Sequence, residues 1–422
     1  MKKKYSSIVF YFPYHDASGV PVLFLRLAEA IKGDYDVYLG DYSNGYMASN
    51  LPDGVRLISI DDEPTFPADS VFVFQSFLPW RFPFLSQVSV DSKILFWNLH
   101  PENFDPRIFN YHHHKPLISH ISKIINIVDL WRQKKLQKIL EYLENRKAIL
   151  FMDRENVSST ERFLKIKINS PQFLPVPIPS SIYHKQVPIF PKTIEYAWVG
   201  RICDFKYRIL EHTIIRLARA SKQIGPSRLT IIGNGEYREY IEDIASSQRK
   251  RDFDILFAGE IAMYDLPKYL VENIDILFAM GTSALEAARV GIPVFLTDYS
   301  YKKINNNYRF KHLFDNTGYC LGEEITNNHY EDKSSLENSI RAVINNYPKY
   351  ADLSYKYWAS NFSIESAKKQ LLSAVEATDA TFGEMADLGF FESDFWGHAL
   401  RSSSFYLRKD LPKGAVGFRQ DC

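Results

Sequence analysis

Two Rossmann-like, doubly wound parallel-sheet α/β domains are predicted by three features of this 422-residue chain. Short apolar runs alternate with helix-length segments through both halves, a proline-rich stretch interrupts that rhythm once, and the length suits two ordinary cores better than one. The runs are continuous rather than alternating, as expected of parallel strands covered on both faces.

In the first half the strand runs are Ser7–Phe12, Asp36–Leu39, Val71–Phe74, Lys93–Trp97 and, as the last strand, Ala148–Met152. Helical spacing covers Val20–Ile31, and a short helix is expected over Ser159–Leu164. Pro171, Pro175, Pro177, Pro179, Pro188 and Pro191 then remove backbone donors and forbid a regular helix, which places the linker here. Beyond it come strands at Glu195–Val199, Leu229–Ile232, Ile255–Ala258, Ile274–Ala279 and Val294–Leu296. Between them lie helices at Ile209–Ala220, Tyr237–Ser246, Leu266–Leu270 and Ser283–Arg289. Closing helices are expected at Ser335–Asn346 and Ile364–Glu376. The boundaries that follow are 1–175 and 176–362, a closing helix over 363–378 returning to the first domain, and a tail, 379–422. Phe390, Phe391, Phe395, Trp396, Phe405 and Tyr406 show no period in that tail.

Bulk composition removes several classes. With 45% hydrophobic and 24% charged residues the chain reads as a folded soluble protein, and no segment supplies the twenty or so apolar residues of a membrane span. The basic start, Met1-Lys2-Lys3-Lys4, precedes an apolar run that ends at Pro13, too short for a signal sequence. Cys203, Cys320 and Cys422 are odd in number and form no CxxC pair, so a reducing, cytoplasmic compartment is expected. A net charge of +1 gives no reason to expect a nucleic-acid partner.

In open α/β sheets ligands sit beyond the carboxyl ends of strands, where helix N-termini and loop N–H groups are exposed. Four such loops carry chemistry. Gly200, Arg201 and Lys206 follow a strand, and an Arg fork with a Lys point charge suits a diphosphate; two solvated surface cations are the plain alternative. Gly281, Thr282, Ser283 and Glu286 open a helix after the strand Ile274–Ala279. Thr282 or Ser283 can cap it, free N–H groups can meet a phosphate, and Glu286, placed in the first turn, can accept from two ribose hydroxyls. The alternative is a capping box in which Glu286 returns to the backbone at Ser283. Gly233 and Gly235 lie in a tight turn, Ile232-Gly233-Asn234-Gly235-Glu236, which either lines a nucleobase pocket or is purely structural; it lacks the third glycine of a dinucleotide site. In the first half, Gly19 allows close backbone approach after the first strand, and His100 follows the strand ending at Trp97, as a ligand contact or a structural histidine.

Taken in order, these motifs resemble the retaining GT-B glycosyltransferases of the family 4 type: a glycine-bearing N-terminal loop, a strand-end His, GR-x4-K, IIGNGE and GTSALEAARVGIPV. The resemblance covers residues 5–375 and is strongest from Tyr196 to Asp298. It implies a nucleotide-sugar donor held by 176–362 and an acceptor, a glycan or lipid-linked sugar of a surface polysaccharide, held by 1–175 across a cleft. It also implies that Arg201 and Lys206 hold the donor diphosphate, Glu286 the ribose, and that His100 lies near the transferred sugar. Transfer would proceed with retention, without a protein nucleophile, without a metal and without any cofactor beyond the donor. One departure stands out. The family carries a second Glu eight residues before the ribose-binding one, and this chain has Phe278 there, leaving the donor-sugar contact to the backbone of Met280–Ser283.

Other features carry weaker expectations. The DxD run Asp252-Phe253-Asp254 precedes a strand and reads as an edge turn, while His112-His113-His114 reads as a loop, since adjacent side chains point apart. The segment 118–147 is amphipathic and holds seven cations against three acids, a local excess of +4. It is either a core helix with a wet face or a peripheral contact with the inner face of the membrane. A nucleotide-sugar epimerase or hydrolase on the same scaffold is the competing enzyme reading, and a non-catalytic nucleotide-sugar-binding module is the competing non-enzyme one.

Overall fold

The computed structural model describes residues 5–61, 63–75, 87–106, 122–190, 193–326, 329 and 335–392. Two compact units result, Met1–Val176 with Ala367–Cys422, and Pro177–Ser366.

The first unit is built on a seven-stranded parallel sheet. Its strands are β1 (Ser7–Tyr11), β2 (Asp36–Asp41), β3 (Arg56–Ser59), β4 (Ser70–Gln75), β5 (Lys93–Asn98), β6 (Ile149–Phe151) and β7 (Gln172–Phe173), in the order β3-β2-β1-β4-β5-β6-β7. Successive side chains point to opposite faces of a strand, and here both faces are apolar. Val9, Tyr11, Phe72, Phe74 and Phe96 pack on one side, and Ile8, Phe10, Val71, Val73, Leu95 and Trp97 on the other. Helix α1 (Gly19–Ile31) covers the second side through Leu23, Phe24, Leu27 and Ile31. After the four-residue α2 (Tyr46–Ser49), α3 (Ser122–Asn145) and α4 (Arg154–Leu164) cover the first side through Leu136, Ile139, Leu140, Leu143, Val157 and Leu164. Asp153 caps α4 by accepting from Asn156 N at 2.8 Å, and burial raises its carboxyl to about 6.

The second unit carries β8 (Ile194–Val199), β9 (Ser227–Ile232), β10 (Phe253–Gly259), β11 (Ile276–Ala279), β12 (Val294–Leu296) and β13 (Lys311–His312), in the order β10-β9-β8-β11-β12-β13. All pairs are parallel except β12–β13. The intervening helices are α5 (Tyr207–Ile224), α6 (Arg238–Gln248), α7 (Leu266–Asn273), α8 (Thr282–Ala288), α9 (Leu336–Asn345) and α10 (Tyr347–Asn361). Strand order runs outward from β8 through β9 to β10, then returns to the other side of β8 with β11. The switch point of the sheet therefore lies between the carboxyl ends of β8 and β11.

After α10 the chain goes back to the first unit. Helix α11 (Ile364–Ala377) adds Leu371 and Val375 beside α1, and α12 (Phe382–Asp387) adds Phe382 and Met385 to the opposite face. Between them Ala380 O accepts from Ile94 N at 3.0 Å, Thr378 Oγ1 donates to Ile94 O at 2.7 Å, and Asp379 pairs with Lys93 and Arg146. The first fourteen residues of the aperiodic tail thus have a structural role, as a clasp on the amino end of β5; 393–422 lie outside the described residues.

Three strands depart from the sequence expectation. Ala148–Met152 is not the last strand, since β7 pairs beyond it, and β3 and β13 were not expected at all. All three are short, and β3 is partly exposed, so none carries a continuous apolar run. The second closing helix is likewise preceded by α10, whose residues alternate polar and aromatic without a clean apolar stripe.

Phe278 sits at the centre of the second core. Its ring stacks on Phe295 at 4.9 Å and meets Tyr196 and Phe310 edge-on at 5.9 and 5.6 Å. It is fully buried. A carboxylate here would be desolvated with no cation among these rings to pair with, so Phe278→Glu is expected to abolish cooperative unfolding of the second unit rather than to restore a sugar contact. Phe278→Leu should remain folded with a melting temperature lowered by several degrees; calorimetry on both variants distinguishes them.

Burial lowers the imidazoles of His212 and His312 from 6.5 to about 3 and about 4. Both are neutral when folded, so the unfolded chain binds more protons as pH falls through 6.5. Their contribution to stability is complete above that pH and is lost between 6.5 and about 3 for His212 and between 6.5 and about 4 for His312. The melting temperature of the second unit should therefore fall more steeply from pH 7 to pH 5 than that of a His212→Phe, His312→Phe double variant.

Candidate functional site

The loop after β8 is shaped by its neighbour after β9. Gly200 N donates to Ile232 O, Ile202 N to Asn234 O and Tyr237 N to Ile202 O, at 3.0, 2.9 and 3.2 Å. A Cβ on Gly233 would stand 2.1 Å from Gly200 O, and one on Gly235 would stand 2.4 Å from Ile202 O. Real atoms do not approach that closely, so both glycines are required by backbone packing, and the turn holding them acts as a brace for the β8 loop.

Within the braced loop, Gly200 ends the strand, Arg201 is exposed, and Lys206 is half-buried just before α5. A Cβ placed on Gly200 would be 4.0 Å from Lys206 Nζ and 3.7 Å from Trp198 Nε1, so the ammonium and the indole N–H flank the bare Cα. Trp198 is 1% exposed and its Nε1 has no hydrogen-bond partner. Lys206 Nζ also stands 5.3 Å from the centre of the Phe205 ring. From the other side, Ser300 N donates to Phe205 O at 3.1 Å and Tyr299 meets Phe205 edge-on at 5.5 Å. The N-terminus of the 18-residue α5 adds a positive partial charge at the same edge.

On the far side of the switch point only Met280 and Gly281 separate β11 from α8. Gly281 takes φ +63°, which an L side chain rarely adopts, and starts the helix at Thr282. Two expectations change in consequence. Neither Thr282 nor Ser283 caps the helix, no capping box forms, and Glu286 falls in the second turn instead of the first. The Gly281 N–H is donated to Leu321 O, so it is committed within the protein. Thr282 is exposed, Ser283 is half-buried and Glu286 is 7% exposed. Sequence reasoning missed its partner: Arg289 Nη2 donates to Glu286 Oε2, and Arg289 Nη1 donates to Pro179 O at 2.7 Å. The i,i+3 spacing of Glu286 and Arg289 was the available signal.

In the first unit, Gly19 is the exposed first residue of α1, where an added Cβ would meet nothing within 4 Å. The preceding loop is anchored by Asp41, whose fully buried carboxylate accepts from the backbone N–H groups of Tyr14, Tyr42, Met47 and Ala48. His100 is exposed beyond β5, and its N–H donates to Asn98 Oδ1 at 3.2 Å. Asn98 Oδ1 also accepts from Asn103, and Asn98 Nδ2 donates to Thr160, so the turn carrying His100 rests on a buried amide.

Among the described residues one group has metal-ligand geometry, Asp298, Glu323 and His329. Lys311 Nζ lies 3.5 Å from Asp298 and 3.4 Å from Glu323, and Tyr308 donates to Asp298 Oδ2 at 3.0 Å. A lysine thus supplies the positive charge of that cluster. Asp254 of the DxD stands at the start of the edge strand β10 and pairs with Arg228 and Arg249. His112–His114 lie outside the described residues. Of the basic stretch, Arg132 is buried and Arg146 is bound to Asp379 and Glu384, while Leu136, Ile139, Leu140 and Leu143 face the core. Leu130, Trp131, Lys134 and Lys138 remain outward. Among the described residues no helix is long and apolar enough to cross a membrane.

No protein-family model and no curated protein sequence matches the chain. Solved structures do. The apo form of the lipopolysaccharide outer core galactosyltransferase WaaB aligns with a TM-score of 0.52 at 12% identity, covering 87% of this chain and 99% of that one. A glycosyltransferase from Rickettsia africae ESF-5 aligns at 0.50 and 11%, covering 89% and 98%. The two parallel α/β units of this chain have the GT-B fold.

Proposed function

We propose that this chain is a glycosyltransferase that takes a sugar from a nucleotide-sugar donor and delivers it, with retention, to a glycan or lipid-linked acceptor. The observation that carries this reading is the convergence of two motif loops on one switch point. Arg201 and Lys206 follow β8, Glu286 follows β11, and these strands are neighbours at the place where open sheets bind their ligands.

In this reading the diphosphate lies over the bare Cα of Gly200, against Lys206 and Arg201, and the ribose reaches Glu286. As the bond from the anomeric carbon to the diphosphate oxygen breaks, negative charge grows on the leaving group, and the two cations stabilise it. The acceptor hydroxyl bonds to the same face of the sugar and gives its proton to the departing phosphate oxygen. His100, on the first unit, is assigned to the transferred sugar. With a two-residue turn after β11, backbone rather than an acidic side chain from that turn would contact the donor sugar.

A panel of nucleoside diphosphates should contain one that raises the melting temperature of the second unit, because a ligand of the folded state stabilises it. Arg201→Ala and Lys206→Ala should each reduce that shift and lower transfer by about 10²–10³ with the unliganded melt unchanged. Full turnover in either variant removes that residue from the mechanism. For a lipid-linked acceptor the outward Leu130, Trp131, Lys134 and Lys138 provide the membrane contact. Co-sedimentation with anionic vesicles should then drop when Trp131 and Lys138 are replaced by Ser and Glu; equal sedimentation would assign α3 to the core alone.

A further inference from the structure

The Glu286 carboxylate is held by a guanidinium that is itself bound to backbone carbonyls. Arg289 caps the carboxyl end of α8, three residues after Glu286, is 9% exposed, and commits its two terminal nitrogens to two different partners. One donates to Glu286 Oε2 and the other to Pro179 O at 2.7 Å, with Ser180 O at 3.5 Å. Those carbonyls belong to the segment that opens the second unit. It is pinned in turn by Ile178 N donating to Phe362 O at 2.8 Å and by Trp358 Nε1 donating to Ile178 O at 3.3 Å. A guanidinium is planar and its donors keep fixed directions, so a fork anchored at both tips sets the position of what it binds.

We infer that Arg289 is a positioning residue for ribose recognition: it fixes the Glu286 carboxylate in the orientation that accepts ribose hydroxyls and cancels its charge beside the donor diphosphate. The inference rests on the ribose role of Glu286 proposed above. Two physical points carry it. A buried carboxylate close to a diphosphate repels it, and in surroundings of low polarity that repulsion is poorly screened; a guanidinium in direct contact removes it. A carboxylate on a side chain with three rotatable bonds would also lose orientational freedom each time a ribose bound, and one already held in place does not. Arg289 is not itself a phosphate ligand, because reaching an anion would require it to release the Pro179 carbonyl and leave that group without its donor.

The test is a double-mutant cycle read by nucleotide binding. Uridine, adenosine and guanosine diphosphates, each as the ribose and the 2′-deoxyribose form, are titrated calorimetrically against the full chain and against Glu286→Gln, Arg289→Met, Arg289→Lys and the Glu286→Gln, Arg289→Met pair. For the base that binds, the full chain should prefer the ribose form at least tenfold. Arg289→Met should lose most of that preference, Arg289→Lys should recover part of it, and the pair should be no worse than Glu286→Gln alone. A preference kept intact in Arg289→Met, or lost in equal proportion whether or not Glu286 is present, overturns the role of Arg289. A preference kept intact in Glu286→Gln instead overturns the ribose assignment of Glu286, and the positioning role falls with it. Should Arg289→Met fail to fold, Arg289→Lys decides, since it keeps the charge and loses the fork: an unchanged ribose preference there refutes the inference.

Discussion

Two glycines on either side of Asn234, in the turn after β9, make the second unit's edge possible. Because Gly233 and Gly235 present only backbone, the segment after β9 lies directly on the carbonyls of Gly200 and Ile202 and fixes the loop after β8 by three hydrogen bonds. The direction of Lys206, the rest of Phe205 against Tyr299 and the start of α5 all follow from that brace. A methyl group at either glycine would push the β8 loop away from the sheet and carry the cationic side chains with it. Side chains on a loop are only as well placed as the backbone beneath them, and here that backbone is held by close packing at the two glycines and by backbone hydrogen bonds.

Much of the fold was legible because its strands are buried on both faces. Burial on two sides leaves continuous apolar runs such as Ile8–Phe12 and Val71–Phe74, and these were read within a residue or two of their structural limits. Strands that lacked this cost escaped notice. Arg56–Ser59 is an edge strand with a partly wet surface, and Gln172–Phe173 and Lys311–His312 are two-residue pairings whose existence depends on a neighbour already in place. The last stretch had no period because its one helix, α12, is six residues long and carries only Phe382 and Met385 into the core, while Ala380 and Phe390 reach the same core from outside it.

The candidate site was legible in its parts and less so in its wiring. Gly200, Arg201, Lys206 and Glu286 could be picked out because residues after strands of a parallel sheet have few structural reasons to be charged. What Glu286 touches could not be read, since it depends on where α8 begins. A left-handed residue at Gly281 starts the helix one position early, moves the carboxylate into the second turn and brings Arg289 onto it. Phe278 shows the reverse case. Aligned with an acidic residue of the family, it is in this chain an interior strand residue, and the short Met280–Gly281 turn, more than the residue type, separates this site from the pattern it resembles.

The clasp formed by residues 378–384 has a consequence for how the molecule is made. Thr378 bonds to Ile94 across 284 positions of sequence, whereas the second unit is continuous from Pro177 to Ser366. During synthesis the second unit can close on itself while the first still waits with the amino edge of β5 and part of one face uncovered. Closing so long a loop costs little more free energy than closing a shorter one, but it cannot begin until those residues leave the ribosome. Of the two units, the one whose translation starts earlier is therefore finished later, and its unfinished face is the surface that a chaperone would have to guard in the interval.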